Sequence, residues 1–478
     1  MANYPELRLF IGGEWRTTAE TLPVINPSTE EEIGRVPVAT SADLDDAVAA
    51  ADAGFETWSQ KSPKERSDLV REASALLRER QDEIAHDITA EHGKPFRQAQ
   101  LEVIRGCEFF EWDAGEAMRT YGRVIPSAPG IKYIVHHQPI GPVAAFSPWN
   151  FPMSQPARKV AGAIASGCSI ILKAAEETPA GAMHIAKAFD DVGLPPGVLN
   201  LVSGVPADIS SKLIPDERIN MVAFTGSTAV GKHLTGIASD NMTPVLMELG
   251  GHAPVIVCED TDVEVAALSS AVRKMRNAGQ VCTSPTRFFV HETVYEHFLD
   301  VFTTRCAETV VGDGMTPDVE MGPLVHDRRI TAMTDLVSDA VDVGSELLTG
   351  GKRIGSTGYF FEPTVLANVP DHAKVMQVEP FGPLAIVNPV DSLDTAIDQA
   401  NSVPYGLAAY GFTNRTDYAD QMVERVEAGN LSINTLEASL PETPFGGVKS
   451  SGYGREGGAE GLSHYTVVKN VSHSINIV

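Results

Sequence analysis

Between Pro142 and Gly251 the chain repeats one pattern: a short, uninterrupted apolar run followed by a helical stretch. The runs are Val143-Ala144-Ala145-Phe146, Ser169-Ile170-Ile171-Leu172, Val198-Leu199-Asn200-Leu201-Val202, Met221-Val222-Ala223-Phe224 and Val245-Leu246-Met247-Glu248. Strands that are apolar on both faces must be covered on both, and the intervening helices supply that cover. The pattern predicts a parallel sheet joined by right-handed crossovers. Such sheets take ligands beyond the carboxyl ends of their strands, so chemistry is expected there.

The flanking regions read as scaffold. Residues 8–40 suggest short strands and turns, and two amphipathic helices follow. Ser41 is expected to cap the first, with Leu44, Val48, Ala51 and Phe55 on one face. Ser62-Pro63-Lys64-Glu65 is a capping box with proline at the first helical position, opening a helix expected to run to about Gly93. A second α/β region is expected from Gly251 to Leu440, with a helix near Leu393–Ala400. The Gly/Pro-rich stretch 441–458 then returns towards the first region. Tyr465–Val471 alternates like an exposed strand and, with Lys132–His136, suggests an arm that pairs with another subunit. His136-His137 fits that arm better than a metal site, because no third ligand lies at useful spacing.

A formal charge of −26 over 478 residues argues against nucleic acid or an anionic membrane surface as partner. No apolar run is long enough to cross a bilayer, and Met1–Trp15 holds no signal-peptide core. The ending Ile-Asn-Ile-Val is not a receptor-read address. The five cysteines are scattered and form neither a disulfide framework nor a CxxC metal pattern. A cytoplasmic location is the expectation.

Four segments carry candidate chemistry. In Arg276-Asn277-Ala278-Gly279-Gln280-Val281-Cys282, a helical run with apolar Val263, Val265, Ala267, Leu268 and Val272 breaks at Gly279, three residues before a cysteine. Backbone N–H groups at such a crossing lower a thiol pKa and favour the thiolate, although a lone cysteine is more often a buried structural one. Ser147-Pro148-Trp149-Asn150-Phe151-Pro152 ends the first strand. Its prolines hold Asn150 rigidly, as an oxyanion donor or simply as a turn residue. Thr225-Gly226-Ser227-Thr228 is a strand, a glycine turn and a helix start that suits a phosphate. His233 stands where a P-loop needs Ser or Thr, so an NTPase is rejected. No GxGxxG opens the sheet either. Glu248 closes an apolar strand before Gly250-Gly251, where desolvation raises a carboxyl pKa towards that of a general base. A structural glutamate would look the same.

Together these segments resemble the aldehyde dehydrogenase superfamily over nearly the whole chain. The motifs are Pro148-Trp149-Asn150-Phe151-Pro152, Phe224-Thr225-Gly226-Ser227-Thr228, Glu248-Leu249-Gly250-Gly251, Gly279-Gln280-Val281-Cys282, Glu379-Pro380-Phe381-Gly382-Pro383 and Pro444-Phe445-Gly446-Gly447. The resemblance implies an NAD(P)-binding domain (1–118 and 141–250), a catalytic domain (251–440) and a small β arm (119–140 and 459–478) bridging a homodimer or homotetramer. It makes Cys282 the nucleophile, Glu248 the base, and Asn150 with the Cys282 N–H the oxyanion hole. Lys173 and Glu176 would hold the adenosine ribose. Trp149, Gly226, Ser227 and Leu249 would surround the pyrophosphate region, with Glu379 and Phe381 on the nicotinamide side. Ala174 replaces the usual proline after the lysine, and His252 stands where lysine is common.

Within the superfamily the chain is most similar to the succinate-semialdehyde dehydrogenase group, whose carboxylate-binding arginines and serine correspond to Arg158, Arg276 and Ser439. Guanidinium forks suit a carboxylate substrate; helix-surface arginines paired elsewhere are the alternative. The implied reaction is oxidation of an aldehyde to an acid through a thiohemiacetal and a thioester, with NAD preferred and NADP an alternative. Rival readings are other semialdehydes, neutral or aromatic aldehydes, a CoA-acylating relative and a silent binding protein on the same fold. No metal is expected.

Overall fold

A computed structural model describes residues 4–475; of the Ile-Asn-Ile-Val ending, the last three residues lie outside the described residues. The five apolar runs form neighbouring parallel strands in the order Leu199–Val202, Ile170–Lys173, Val143–Phe146, Met221–Thr225, Val245–Glu248. Val143–Phe146 comes first in the chain and lies at the centre. The strand order therefore reverses beside it, and a crevice opens at the ends of Phe146 and Thr225. Leu9–Ile11 and Gly452–Tyr453 extend this sheet antiparallel at its two sides. Segment 441–458 thus lays Gly452 directly against Glu248.

A second sheet orders Glu346–Thr349, Thr364–Ala367, Leu384–Val390, Arg287–His291, Pro254–Val257, Ala408–Phe412 and Asn430–Ile433, parallel except at its first strand. Each sheet has its own buried apolar cluster. Thr466–Ser474 pairs antiparallel with Ile131–Pro139, which also carries Arg123–Ile125. His136 and His137 lie in this arm opposite Lys469 and Val468. Among the described residues no helix is long and apolar enough to cross a membrane.

Local details depart from expectation in three places. Thr40, not Ser41, caps the first helix: its Oγ1 accepts from the Asp43 N–H at 3.2 Å, and the Asp43 carboxylate accepts from the Thr40 N–H at 2.9 Å. Counting from Ser41 would put Leu44 at the reciprocal position, where no acceptor exists. The helix opened by Ser62 stops at Glu79 and resumes at Gln81–His92. Arg80 leaves helical geometry at the junction and pairs with Asp191 at 2.7 Å. The helix Val263–Met275 turns Val265, Leu268 and Val272 outward and buries Ala266, Ala267 and Ala271, small residues that let it lie close on the sheet.

Candidate active site

The loop that leads to Cys282 begins earlier than the sequence pattern suggests. The helix ends at Met275, and Asn277, Ala278 and Gly279 are all left-handed, with φ of 54°, 53° and 67°. A Cβ at Gly279 would lie 2.0 Å from the Gly382 carbonyl oxygen, so only glycine lets the chain pass here. This tight reversal delivers Cys282, half-buried, to a cavity of about 720 Å³ at the crevice.

Trp149, Asn150, Gly226, Ser227, Glu248 and Leu249 wall the same cavity from the first sheet, and Glu379 and Phe381 face them from the second. Ser227 caps the helix Thr228–Ser239, so the N-terminus of that helix opens into the cavity. Trp149 and Phe381 meet edge-on at 5.4 Å. The Phe381 loop, left-handed at φ 47°, is tied down by the Arg329 guanidinium, which donates to the carbonyls of Pro380 and Phe381.

Glu248 is 2% exposed, and neither of its carboxyl oxygens has a hydrogen-bond partner. Burial and the nearby Glu456 push its pKa far up, as expected for a carboxyl at the end of an apolar strand. The Glu379 carboxylate accepts from the Gly251 N–H at 3.1 Å, and burial raises it to about 7. The expectation of a lowered thiol pKa fails. Cys282 is pushed up to about 12 by burial, then by Glu379 and Glu248. Arg158 and the Thr283 N–H pull the other way without prevailing. One backbone amide is outweighed by burial and by two carboxyls, all of them supplied only by the tertiary fold.

Asn150 is held at both ends. Its side-chain amide donates to the Gln280 carbonyl at 3.0 Å, leaving the second N–H of that group to bind something else. Arg158 and Ser439 come together, with Nη2 donating to Oγ at 2.6 Å. The Arg158 guanidinium lies between the rings of Phe109 and Phe445, and its Nη1 is buried without a partner. Arg276 is placed differently. It stands 5.9 Å over the Phe151 ring and lines a separate cavity of about 1430 Å³.

Lys173 and Glu176 pair with each other at the end of their strand rather than walling the 720 Å³ cavity; Glu177 does so instead, 3.4 Å from Arg328. Ala174 is buried beside Lys173. His252 faces the second sheet's interior, its ring bonded to the Val375 carbonyl at 2.9 Å and held neutral by burial. Sequence reasoning missed Lys94, Glu102, Asn277 and Arg329. Only Gly93-Lys94-Pro95, a helix stop followed by a fixed turn, hinted at the first of these.

Two α/β layers thus enclose a cleft that brings together a helix N-terminus, a thiol, a raised carboxyl and a rigid amide. The chain belongs to the aldehyde dehydrogenase family, whose sequence profile matches residues 15–471 and whose members use NAD or NADP. It is 45% identical over 464 residues to 4-(hydroxymethyl)benzenesulfonate dehydrogenase TsaD1 of Comamonas testosteroni, covering 96% of this chain and 97% of that one. It is 39% identical to succinate semialdehyde dehydrogenase of Acinetobacter baylyi over 97% of this chain and 96% of the relative. The crystal structure of succinate-semialdehyde dehydrogenase from Burkholderia pseudomallei superposes with a TM-score of 0.97 at 37% identity, covering 99% of each chain.

Proposed function

We propose that this protein oxidises an aldehyde bearing a distal anionic group, with an ω-carboxy semialdehyde such as succinate semialdehyde as the leading substrate. The observation that carries this reading is Arg158. It is a guanidinium 4% exposed, flanked by Phe109 at 3.8 Å and Phe445 at 4.9 Å, with Nη1 unsatisfied. Its neighbouring carboxyls do not neutralise it: Glu456 is engaged by Lys159 at 2.8 Å, and burial raises Asp113 to about 8. A buried cation left in this state favours an anion from outside. Ser439 completes the proposed anion set with Arg158; Arg276, which lines the separate cavity of about 1430 Å³, lies outside it.

In the proposed reaction Cys282 attacks the carbonyl carbon, and the free N–H of the Asn150 amide, with the Cys282 backbone N–H, holds the oxyanion. Glu248, its pKa pushed far up by burial and then by Glu456, is a stronger proton acceptor than an ordinary carboxylate and later takes a proton from water to open the thioester. Bound NAD(P) supplies the hydride acceptor. The helix N-terminus at Ser227 fits its pyrophosphate, and Glu379 its nicotinamide ribose. The Lys173–Glu176 pair fits the adenosine ribose and favours NAD, because Glu176 opposes a 2′-phosphate; Glu176→Ser should move preference towards NADP. Edge strand Thr466–Ser474 supports pairing of two or four copies.

A second reading keeps the anion but makes the spacer aromatic. It is favoured by the 45% identity to TsaD1 and by the Phe109 and Phe445 rings beside Arg158. The deciding experiment measures kcat/KM for succinate semialdehyde, butanal, 4-formylbenzenesulfonate and benzaldehyde. Each anionic aldehyde should exceed its neutral partner, with succinate semialdehyde highest. Ratios near one for both pairs would leave only a general aldehyde dehydrogenase.

A further inference from the structure

The proposed oxyanion donor is positioned by groups from both halves of the molecule. The left-handed Gly93 (φ 83°) ends the helix Gln81–His92 and turns Lys94 inward, where it is 2% exposed. Lys94 Nζ contacts Glu102 Oε2 at 2.5 Å and donates to the Asn150 carbonyl at 2.8 Å. The other Glu102 oxygen accepts from the N–H groups of Met153 and Ser154, at 2.8 and 3.2 Å, at the start of the helix that carries Arg158. From the cysteine loop, Asn277 Nδ2 donates to the same Asn150 carbonyl at 3.0 Å, and its backbone N–H is held by Gln98 Oε1. The Asn150 amide closes the circuit on Gln280, two residues before Cys282.

A buried ion pair alone would not mark function, since apolar residues of similar volume often replace one without loss of stability. What no apolar residue supplies is a donor to the Asn150 carbonyl. Two such donors, one from each half of the chain, fix the orientation of that peptide. Through it they fix where the Asn150 amide lies relative to Cys282.

We infer that Lys94, oriented by Glu102, and Asn277 are positioning residues that set the Asn150 amide for the developing oxyanion. This inference rests on the role of Asn150 given above. The test is a double-mutant cycle on the full-length protein. Lys94→Met should lower kcat by about thirtyfold, part of the 10²–10³ that one oxyanion donor supplies, while NAD binding followed by fluorescence stays intact. Lys94→Arg should recover part of the loss. In the Asn150→Ala background, Lys94→Met should change kcat by less than about threefold, because its route of action is already gone.

Losses that multiply, or an unchanged kcat in Lys94→Met, would overturn the inference. Wild-type kcat in Asn150→Ala alone would instead overturn the oxyanion reading beneath it. Should Lys94→Met not fold, Asn277→Gly removes the second donor while suiting that position's left-handed backbone. The same non-additivity is expected of it, and multiplying losses would count equally against the proposal.

Discussion

Two sets of charged groups are equally buried and unequally satisfied. In the scaffold behind the crevice, Lys94 meets Glu102 at 2.5 Å, and Lys159 meets both Glu456 at 2.8 Å and Thr225 at 2.7 Å. At the crevice itself Glu248 has two unpartnered oxygens and no partner at all, whereas Arg158, bonded to Ser439, and Glu456, bonded to Lys159, each keep one atom unpartnered. Burial is expensive for a charge in either place, and the scaffold meets that cost with a partner. At the crevice the protein's own groups supply Glu248 no such partner. Such a carboxyl is held basic, which suits the role proposed above for Glu248, and a guanidinium with one nitrogen unpartnered suits the anion contact proposed for Arg158.

The largest effect should come from the proposed nucleophile in the crevice. Cys282→Ala is expected to lower kcat by on the order of 10⁴-fold or more, with NAD binding unchanged in a fluorescence titration. Substantial dehydrogenase activity in that variant would remove the covalent route. Next comes Glu248→Gln, which keeps the shape and deletes the base. Stopped-flow should show a burst of NADH of about one per active site and then a steady rate lower by about 10²–10³-fold. A slow burst followed by normal turnover would show that Glu248 serves the first step rather than the second.

The third test sets Arg158 against Arg276. Arg158→Ala should erase most of the advantage of succinate semialdehyde over butanal, about 10- to 100-fold from one charge-assisted contact, with butanal little affected. Arg276→Ala should cost less, because that side chain lines the larger cavity beyond Phe151. Equal losses for both aldehydes, with a lower Tm, would mean that Arg158 braces the fold instead.

Much of this was legible in the sequence, and the misses share a cause. The strands Val143–Phe146 and Val245–Glu248 appear as read, because an uninterrupted apolar run between glycine or proline punctuation leaves little choice. The raised Glu248 was legible too, since the carboxyl end of a continuous apolar strand is buried and burial is the largest cause of the shift. Where a property depends on residues distant in the chain, local reading failed. Cys282 is governed by burial in the folded chain and then by Glu379 and Glu248, and Lys94 looks like a surface lysine until Glu102 and Asn150 close over it. The outward Val265, Leu268 and Val272 show the same limit: periodicity finds a helix but not which face the sheet accepts.

The smallest expected effect probes the crevice thiol most directly. Cys282 is half-buried at the cavity wall, whereas Cys107, Cys168, Cys258 and Cys306 are buried, so mild alkylation by iodoacetamide of the protein alone reports Cys282. Only the thiolate reacts, and an ordinary thiol near 8.5 would already be half ionised at pH 8.5. Its rate would gain only about twofold from pH 8.5 to 9.5. A thiol pushed up to about 12 by burial and two carboxyls is still almost wholly protonated in that range. Its thiolate fraction, and hence the alkylation rate, should climb about tenfold over the same unit. Glu248→Gln removes one of the opposing carboxyls and should bring the upper end of the curve down. Arg158→Ala removes the one nearby cation that favours the thiolate and should push it further up. A plateau by pH 9 in the unmutated protein would place the thiol with the scaffold's satisfied groups, and the contrast between the two regions would then rest on Glu248 and Arg158 alone.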